Sequence, residues 1–200
     1  MEGPFLTPRV SVNLTYVVMD NFVYGLTKKQ TSPTSPKGFK SKTDPTGAID
    51  QPINPMKKLV YGGASFVART HAAQVKHMME VFERAILHPG FSVVEVLSEC
   101  VVFYPGIFDD GNPRKGGEFD VIEEKKWDDS AEDAARHDVS DGNAAYELAS
   151  LQYPGKFGVF YETDRPTKNQ LEQNWIDASQ EKTGGKSAAE LIQGRFASMK

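Results

Sequence analysis

The sequence predicts an α/β fold in which a parallel sheet is flanked by helices. Three short runs are apolar along most of their length, as strands covered on both faces are: LTYVVMD at 14–20, ASFVAR at 64–69 and FSVVEVL at 91–97. Between the second and third runs, apolar residues recur at three- and four-residue spacing, which predicts an amphipathic helix. A strand, a helix and a strand in this order form a βαβ unit, so its two strands run parallel.

Each element follows from a local pattern. The run 14–20 is predicted to be a fully buried strand, and Thr70 is predicted to cap the helix. The apolar stripe of that helix is expected to face the core: Val75, Met78, Met79, Phe82, Ala85 and Ile86. The proline-rich stretch 31–55 predicts a long loop. A short helix around 130–136, a strand at 156–162, a helix capped at Thr167 and an irregular tail from Lys182 complete the prediction.

Composition narrows the class of protein. The chain has 200 residues, of which 39% are hydrophobic, enough for one domain with a sizeable core. Its formal net charge of −4 and the lack of a basic run among aromatics argue against a nucleic-acid partner. No window approaches the roughly 18 apolar residues of a membrane span and the start does not resemble a signal peptide, so no membrane contact and a cytoplasmic location are expected. The single cysteine, Cys100, excludes an internal disulfide and is most often a buried structural residue.

The stretch MDNFVYGLTKKQTSPTSP, at 19–36, is the strongest candidate for a binding site. It follows the first predicted strand, and ligands of open α/β sheets bind at the carboxyl ends of strands. The Asn21 side-chain oxygen and neighbouring carbonyls suit a hard cation such as magnesium. Lys28 and Lys29 follow the Gly25 turn and could face a phosphate or a carboxylate. Taken alone, this pattern is more often an ordinary Asp-Asn turn with solvated lysines.

Several motifs in order resemble one family. DNFVYGLTKKQTSPTSP, preceded by TYVVMDN and followed by SFVAR and FSVVEVLSEC, is similar to the β subunit of 2-oxoacid:ferredoxin oxidoreductases, roughly from Phe5 to Trp175. The resemblance implies a thiamine diphosphate-binding fold. It implies an enzyme that oxidatively decarboxylates a 2-oxoacid, such as 2-oxoglutarate or pyruvate, to an acyl-CoA. Electrons would pass through a four-iron four-sulfur cluster to ferredoxin. An α subunit is implied as partner, because the site of this family forms between two subunits.

The resemblance also assigns roles to residues of the 19–36 stretch. Asn21 would give magnesium its side-chain oxygen and Val23 a backbone carbonyl. Lys28 would contact the substrate carboxylate, and Thr27 would lie beside the diphosphate. The turn between these groups would be shaped by Tyr24, Gly25 and Leu26.

Beyond the stretch, Cys100 corresponds to the last of the four thiolate ligands of the cluster. A lysine at position 29 departs from the glycine that the family commonly has there. If that position needs a positive φ, or a close approach of the backbone to the diphosphate, a lysine strains the turn.

The family's Cys-x-x-Cys pair, its further cysteine and its Gly-Asp-Gly segment do not occur before Asn21. The chain is therefore expected to be N-terminally truncated, with 1–104 as the C-terminal part of the thiamine diphosphate-binding domain. Residues 105–200 are expected to be a C-terminal extension and tail that makes a subunit contact. One thiolate cannot hold a cluster alone, and magnesium would lack its charged ligand, so the 200-residue chain alone is expected to be inactive.

Two alternatives to a working β subunit stay open. One is a truncated, non-catalytic remnant that only binds the partner subunit, which the missing aspartate and cysteines favour. The other is an unrelated anion-binding α/β module, which would bind phosphate but not thiamine diphosphate with magnesium. The second leaves the order of the motifs and the position of Cys100 unexplained.

Overall fold

A computed structural model describes residues 10–124, 136–151 and 153–199 of the chain. These residues form a four-stranded sheet made of β1 (Leu14–Asp20), β2 (Phe66–His71), β3 (Phe91–Leu97) and β4 (Gly158–Glu162), in the order β1-β3-β2-β4. Both β1 and β2 run parallel to β3, whereas β4 is antiparallel to β2. The predicted α/β fold is confirmed, with an antiparallel strand added at one edge.

Helices cover both faces of this sheet. The described helices are α1 (Pro55–Tyr61), α2 (Val75–Leu87), α3 (Gly142–Ala149), α4 (Lys168–Thr183) and α5 (Ala188–Ser198). The α2 helix joins β2 to the parallel, adjacent β3, which confirms the βαβ unit. In the described part of the chain, no helix is both long enough and apolar enough to cross a membrane. The helix predicted around 130–136 falls almost wholly outside the described residues.

The core lies on the two faces of the central strands, which are buried along their whole length. On one face, Met56 and Leu59 of α1 and Ala149 of α3 pack against Val67 and Phe91. The opposite face is covered by α2; its packed residues are Phe66, Ala68, Val81, Ala85, Val94, Val96 and Val159. Complete burial of a large apolar side chain contributes roughly 1.5–3 kcal/mol, so these two layers stabilise the sheet that positions the loops.

The prediction that 14–20 is a fully buried strand was wrong. In β1, Leu14 and Val17 are exposed and Met19 is 70% exposed. Among the described residues, β1 lies at the edge of the sheet and pairs with β3 alone. The α2 helix is joined to this strand by the Thr15 hydroxyl, which donates to the Ala85 carbonyl at 3.1 Å. An apolar run does not distinguish an edge strand from a central one, so the sequence could not give this position.

The stripe predicted for α2 was only partly correct. Ala85 is buried and Met78 and Phe82 pack against the core, but three predicted core residues are exposed: Val75, Met79 and Ile86. The helix turns Val81 inward instead. Thr70 does not cap the helix, because it belongs to β2 and its hydroxyl bonds His77 Nδ1 at 2.8 Å.

The C-terminal stretch is more helical than the sequence pattern suggested. Thr167 caps α4 as predicted, in a reciprocal arrangement with Gln170. Ser187 and Glu190 form the same arrangement and begin α5 beyond Lys182. Neither helix buries a residue in this chain, so local capping rather than packing defines them here.

Candidate functional site

The candidate site lies where three parallel strands end. Asp20, His71 and Leu97 close β1, β2 and β3, and both Asp20 and His71 pair in register with Leu97. The carboxyl ends of the three strands therefore meet at one edge of the sheet, the place where open α/β sheets bind ligands. The 19–36 stretch leaves the sheet from this edge.

Two successive side-chain turns shape the backbone after β1. Asp20 Oδ1 accepts a hydrogen bond from Phe22 N at 3.0 Å, and Asn21 Oδ1 accepts one from Val23 N at 3.2 Å. Phe22 between them has a φ of +55°, in the left-handed region. No hydrogen bond between described residues uses the Val23 carbonyl. This oxygen and the remaining lone pair of Asn21 Oδ1 are therefore available to a cation.

A tight hairpin follows this turn. Tyr24 and Gln30 exchange backbone hydrogen bonds of 3.0 and 3.3 Å, and Lys28 N donates to the Gly25 carbonyl at 3.0 Å. Lys28 and Lys29 have φ values of +65° and +69°. Position 29 therefore has the positive φ that favours glycine. Left-handed geometry costs each lysine on the order of 1 kcal/mol.

Gly25 and Cys100 are in close contact. A Cβ atom on Gly25 would lie 3.3 Å from Cys100 Sγ, closer than side chains usually approach. Cys100 is half-buried and packs with Val23 and with the loop residues Phe39, Ala48, Phe103 and Tyr104. A residue with a side chain at position 25 would push the hairpin away from the thiol. The hairpin backbone can lie this close to Cys100 because glycine has no Cβ.

Asn21 and Cys100 also line the same groove. Its volume is about 330 Å³, and its other lining residues are Met19, Ser98, Glu99, Val101 and Val102. The structure thus brings together four of the residues singled out in the sequence: Asn21, Val23, Gly25 and Cys100. The remaining predicted site residues lie in the hairpin and are exposed to solvent: Tyr24 (40% exposed), Leu26 (98% exposed), Thr27 and Lys28.

No three His, Cys, Asp or Glu side chains of the described ranges are grouped as a metal site. The turn after β1 leaves two oxygen atoms available to magnesium at this edge, the Asn21 amide oxygen and the Val23 carbonyl oxygen. These donors suit magnesium, which retains several of its own waters and takes few protein ligands when it accompanies a phosphate.

A buried polar layer beneath the turn was not predicted. Arg69 Nε donates to Glu95 Oε2 at 2.6 Å, and both residues are almost fully buried within β2 and β3. Asp20 and His71 lie one row further along the same face of the sheet. Burial raises the pKa of the Asp20 carboxyl, opposed by hydrogen bonds from Phe22 N and Thr34. Burial lowers the pKa of His71. A charged residue within each of two apolar runs, ASFVAR and FSVVEVL, was the available signal.

Residues 8–96 match the family described as thiamine pyrophosphate enzyme, C-terminal TPP binding domain. A 2-oxoacid:ferredoxin oxidoreductase subunit beta of Saccharolobus solfataricus is 43% identical over 48% of this chain and 31% of the relative. The 2-oxoglutarate oxidoreductase subunit KorB of Mycobacterium tuberculosis is 28% identical over 94% of this chain and 59% of the relative.

A solved structure agrees with these relatives. It is a 2-oxoglutarate:ferredoxin oxidoreductase from Magnetococcus marinus, with 2-oxoglutarate, coenzyme A and succinyl-CoA bound. Its similar chain superposes with a TM-score of 0.71 and 32% identity, over 96% of this chain and 62% of that one. The chain thus spans between about a third and three fifths of the length of these proteins. By sequence and by fold, the chain is similar to the β subunits of the 2-oxoacid:ferredoxin oxidoreductases, and its residues 8–96 match a thiamine diphosphate-binding domain.

Proposed function

We propose that the chain acts as the β subunit of a 2-oxoacid:ferredoxin oxidoreductase, which converts a 2-oxoacid to an acyl-CoA with ferredoxin as electron acceptor. The observation that carries the proposal is the groove shared by Asn21 and Cys100, with Gly25 against the thiol. A turn that holds the magnesium of thiamine diphosphate would lie next to a ligand of the iron–sulfur cluster. Electrons could then pass from thiamine diphosphate to the cluster over a short distance.

Asn21 and Val23 would hold magnesium through the side-chain and backbone oxygens that the turn leaves available. The Thr27 hydroxyl and the turn of Tyr24, Gly25 and Leu26 would lie beside the diphosphate of the cofactor. The bound cofactor supplies the carbanion chemistry of the decarboxylation. The task of the protein residues is to position the cofactor and to keep the turn in one conformation.

Lys28 would bind the carboxylate of the 2-oxoacid. Its ammonium group is exposed at the tip of the hairpin, and its backbone is fixed by the bond to the Gly25 carbonyl. The substrate is expected to be of the 2-oxoglutarate or pyruvate type. The relative from Mycobacterium tuberculosis and the Magnetococcus marinus structure both concern 2-oxoglutarate, which favours that acid.

Cys100 would be one thiolate ligand of a four-iron four-sulfur cluster. Such clusters take four cysteine ligands, and residues 1–200 contain one. The other three cluster ligands and, by the family resemblance, the aspartate ligand of magnesium would come from outside these residues. An α subunit would complete the site, and residues 105–200 would contribute to that subunit contact. The exposed apolar residues of α4 and α5, such as Trp175 and Phe196, are suited to it.

The proposal is tested on the native complex that contains this chain. With 2-oxoglutarate and coenzyme A as substrates, the complex should reduce ferredoxin. Lys28→Ala should raise the KM for the 2-oxoacid about tenfold, a typical loss for one charge-assisted contact. Lys40→Ala, an exposed lysine of the neighbouring loop, is the matched control and should leave KM unchanged.

The alternative is a non-catalytic chain that only binds the partner subunit. The single cysteine of residues 1–200 is the observation that favours it. A complex that assembles with the α subunit but neither reduces ferredoxin nor binds thiamine diphosphate would establish this alternative and refute the proposal.

A further inference from the structure

We propose that Asp20 and Ser35 are positioning residues for the cation-binding turn, residues 21–23. They act by fixing the backbone of Phe22. This inference rests on the proposed function, because it concerns the same turn. Asp20 and Ser35 themselves are not expected to contact the cation or the cofactor. They act through Phe22, the residue between the two proposed oxygen donors, Asn21 and Val23.

The arrangement, here named the Phe22 clamp, consists of Asp20, Thr34 and Ser35 around the Phe22 backbone. Asp20 Oδ1 accepts from Phe22 N at 3.0 Å, and Ser35 Oγ donates to the Phe22 carbonyl at 2.7 Å. Both backbone polar groups of one residue are thus bound by side chains. Thr34 Oγ1 donates to the same Asp20 oxygen at 2.7 Å and so orients the carboxyl group.

The clamp holds a conformation that Phe22 would not adopt freely. A φ of +55° costs a residue with a Cβ on the order of 1 kcal/mol, so a relaxed turn would leave the left-handed region. The Asn21 side chain and the Val23 carbonyl flank this residue. A rotation at Phe22 would therefore change the distance and angle between the two oxygens that magnesium needs at near-ideal octahedral positions.

The clamp is built into the fold rather than lying on the surface. Asp20 is 7% exposed and Ser35 is 3% exposed. Ser35 Oγ also accepts from Ser32 N at 2.8 Å, which leaves its own hydrogen free for the Phe22 carbonyl. Phe22 itself packs edge-on against Phe108, with ring centroids 4.9 Å apart. The proline-rich loop therefore has a defined task, because its 32–35 turn supplies two of the three clamp side chains.

The test uses the native complex with four variants. Asp20→Ala removes the acceptor, Ser35→Ala removes the donor, and Asp20→Asn keeps an oxygen where Oδ1 now lies. Thr31→Val is the matched control, since its hydroxyl belongs to the same loop but bonds Asp44 and Ser41 instead. Two quantities are measured for each variant. They are the magnesium concentration for half-maximal binding of thiamine diphosphate by calorimetry, and the hydrogen-exchange protection of the Phe22 amide without cofactor.

Asp20→Ala and Ser35→Ala should raise the half-maximal magnesium concentration about tenfold, and Asp20→Ala should remove the protection of the Phe22 amide. Asp20→Asn should retain most of the wild-type magnesium dependence and most of the protection of the Phe22 amide. Thr31→Val should leave both unchanged even where it lowers the unfolding midpoint. Unchanged magnesium dependence in Asp20→Ala, or the same loss in Thr31→Val, would overturn the inference alone. A wild-type complex that binds no thiamine diphosphate would overturn the proposed function and this inference together.

Discussion

Arg69 and Glu95 form an ion pair inside the sheet, with 2.6 Å between Arg69 Nε and Glu95 Oε2. The two residues lie opposite each other on β2 and β3, and their side chains are 8% and 1% exposed. Arg69 also lies over the Phe160 ring, 5.7 Å from its centroid. Two charges are therefore removed from water directly beneath the row that contains Asp20 and His71.

Breaking this pair from one side should strongly destabilise the chain. Arg69→Met leaves the Glu95 carboxylate buried without its cation, and such losses cost about 3–5 kcal/mol. Arg69→Met with Glu95→Gln should recover part of this cost, because the uncompensated charge is gone. Urea unfolding of the two single variants and the double variant measures the coupling. Additive losses would show that the pair contributes no mutual stabilisation.

The contact between Gly25 and Cys100 predicts a specific coupling. Gly25→Ala places a methyl group 3.3 Å from Cys100 Sγ and should cost about 1–2 kcal/mol of stability through overpacking. Cys100→Ala removes the sulfur, so Gly25→Ala should be nearly neutral in that background. The free energies of unfolding of the four chains in the cycle check this. The same penalty in both backgrounds would mean that the thiol does not limit position 25.

The left-handed backbone at Lys29 predicts that glycine is favoured there. Lys29→Gly and Lys29→Ala both lose the cation–π contact with the Phe39 ring, 5.6 Å away, but only alanine keeps the strain. Lys29→Gly should therefore be more stable than Lys29→Ala by about 1 kcal/mol. Lys40 serves as control, since it has no positive φ and alanine should there be at least as stable as glycine. The thermal unfolding midpoints of the alanine and glycine variants at positions 29 and 40 show which residue is more stable at each position.

The half-buried His77 should make the fold less stable in mild acid. Burial lowers the pKa of His77 below its ordinary value of 6.5, although the Glu80 charge opposes this. Between the lowered pKa and pH 6.5, the folded state binds fewer protons than the unfolded chain. The free energy of unfolding is therefore undiminished above pH 6.5 and decreases as the pH drops through that window. His77→Gln should weaken this fall, and urea midpoints at pH 7.5 and 5.5 measure it. An unchanged pH dependence would show that His77 does not cause this loss of stability.

Local patterns were sufficient for much of the fold. β1 and β3 have the predicted bounds, and Thr167 caps α4 as expected, because apolar runs and capping residues act over a few neighbouring positions. The exposure of β1, the outward turn of Met79 and the antiparallel pairing of β4 depend on which elements pack together. Those are long-range properties that no local pattern contains.

In the candidate site, too, local features could be predicted from the sequence and long-range contacts could not. The contacts of Asn21 and Gly25 with their neighbours occur within a motif that the sequence displays. The approach of Cys100 to Gly25 joins positions far apart in the chain, and neither the residue spacing nor the resemblance to a family predicted it. The Phe22 clamp was missed, because Thr34 and Ser35 look like ordinary loop residues until the loop folds back onto Asp20.

The 19–36 stretch and Cys100 are proposed to belong to one electron-transferring site. The most direct test is the electron paramagnetic resonance spectrum of the native complex after 2-oxoglutarate and coenzyme A are added without ferredoxin. We expect the signal of a reduced four-iron four-sulfur cluster in the wild-type complex, and the loss of both this signal and the bound iron in Cys100→Ala. A cluster that is fully retained and reduced in Cys100→Ala, or a wild-type complex without any substrate-dependent signal, would contradict it.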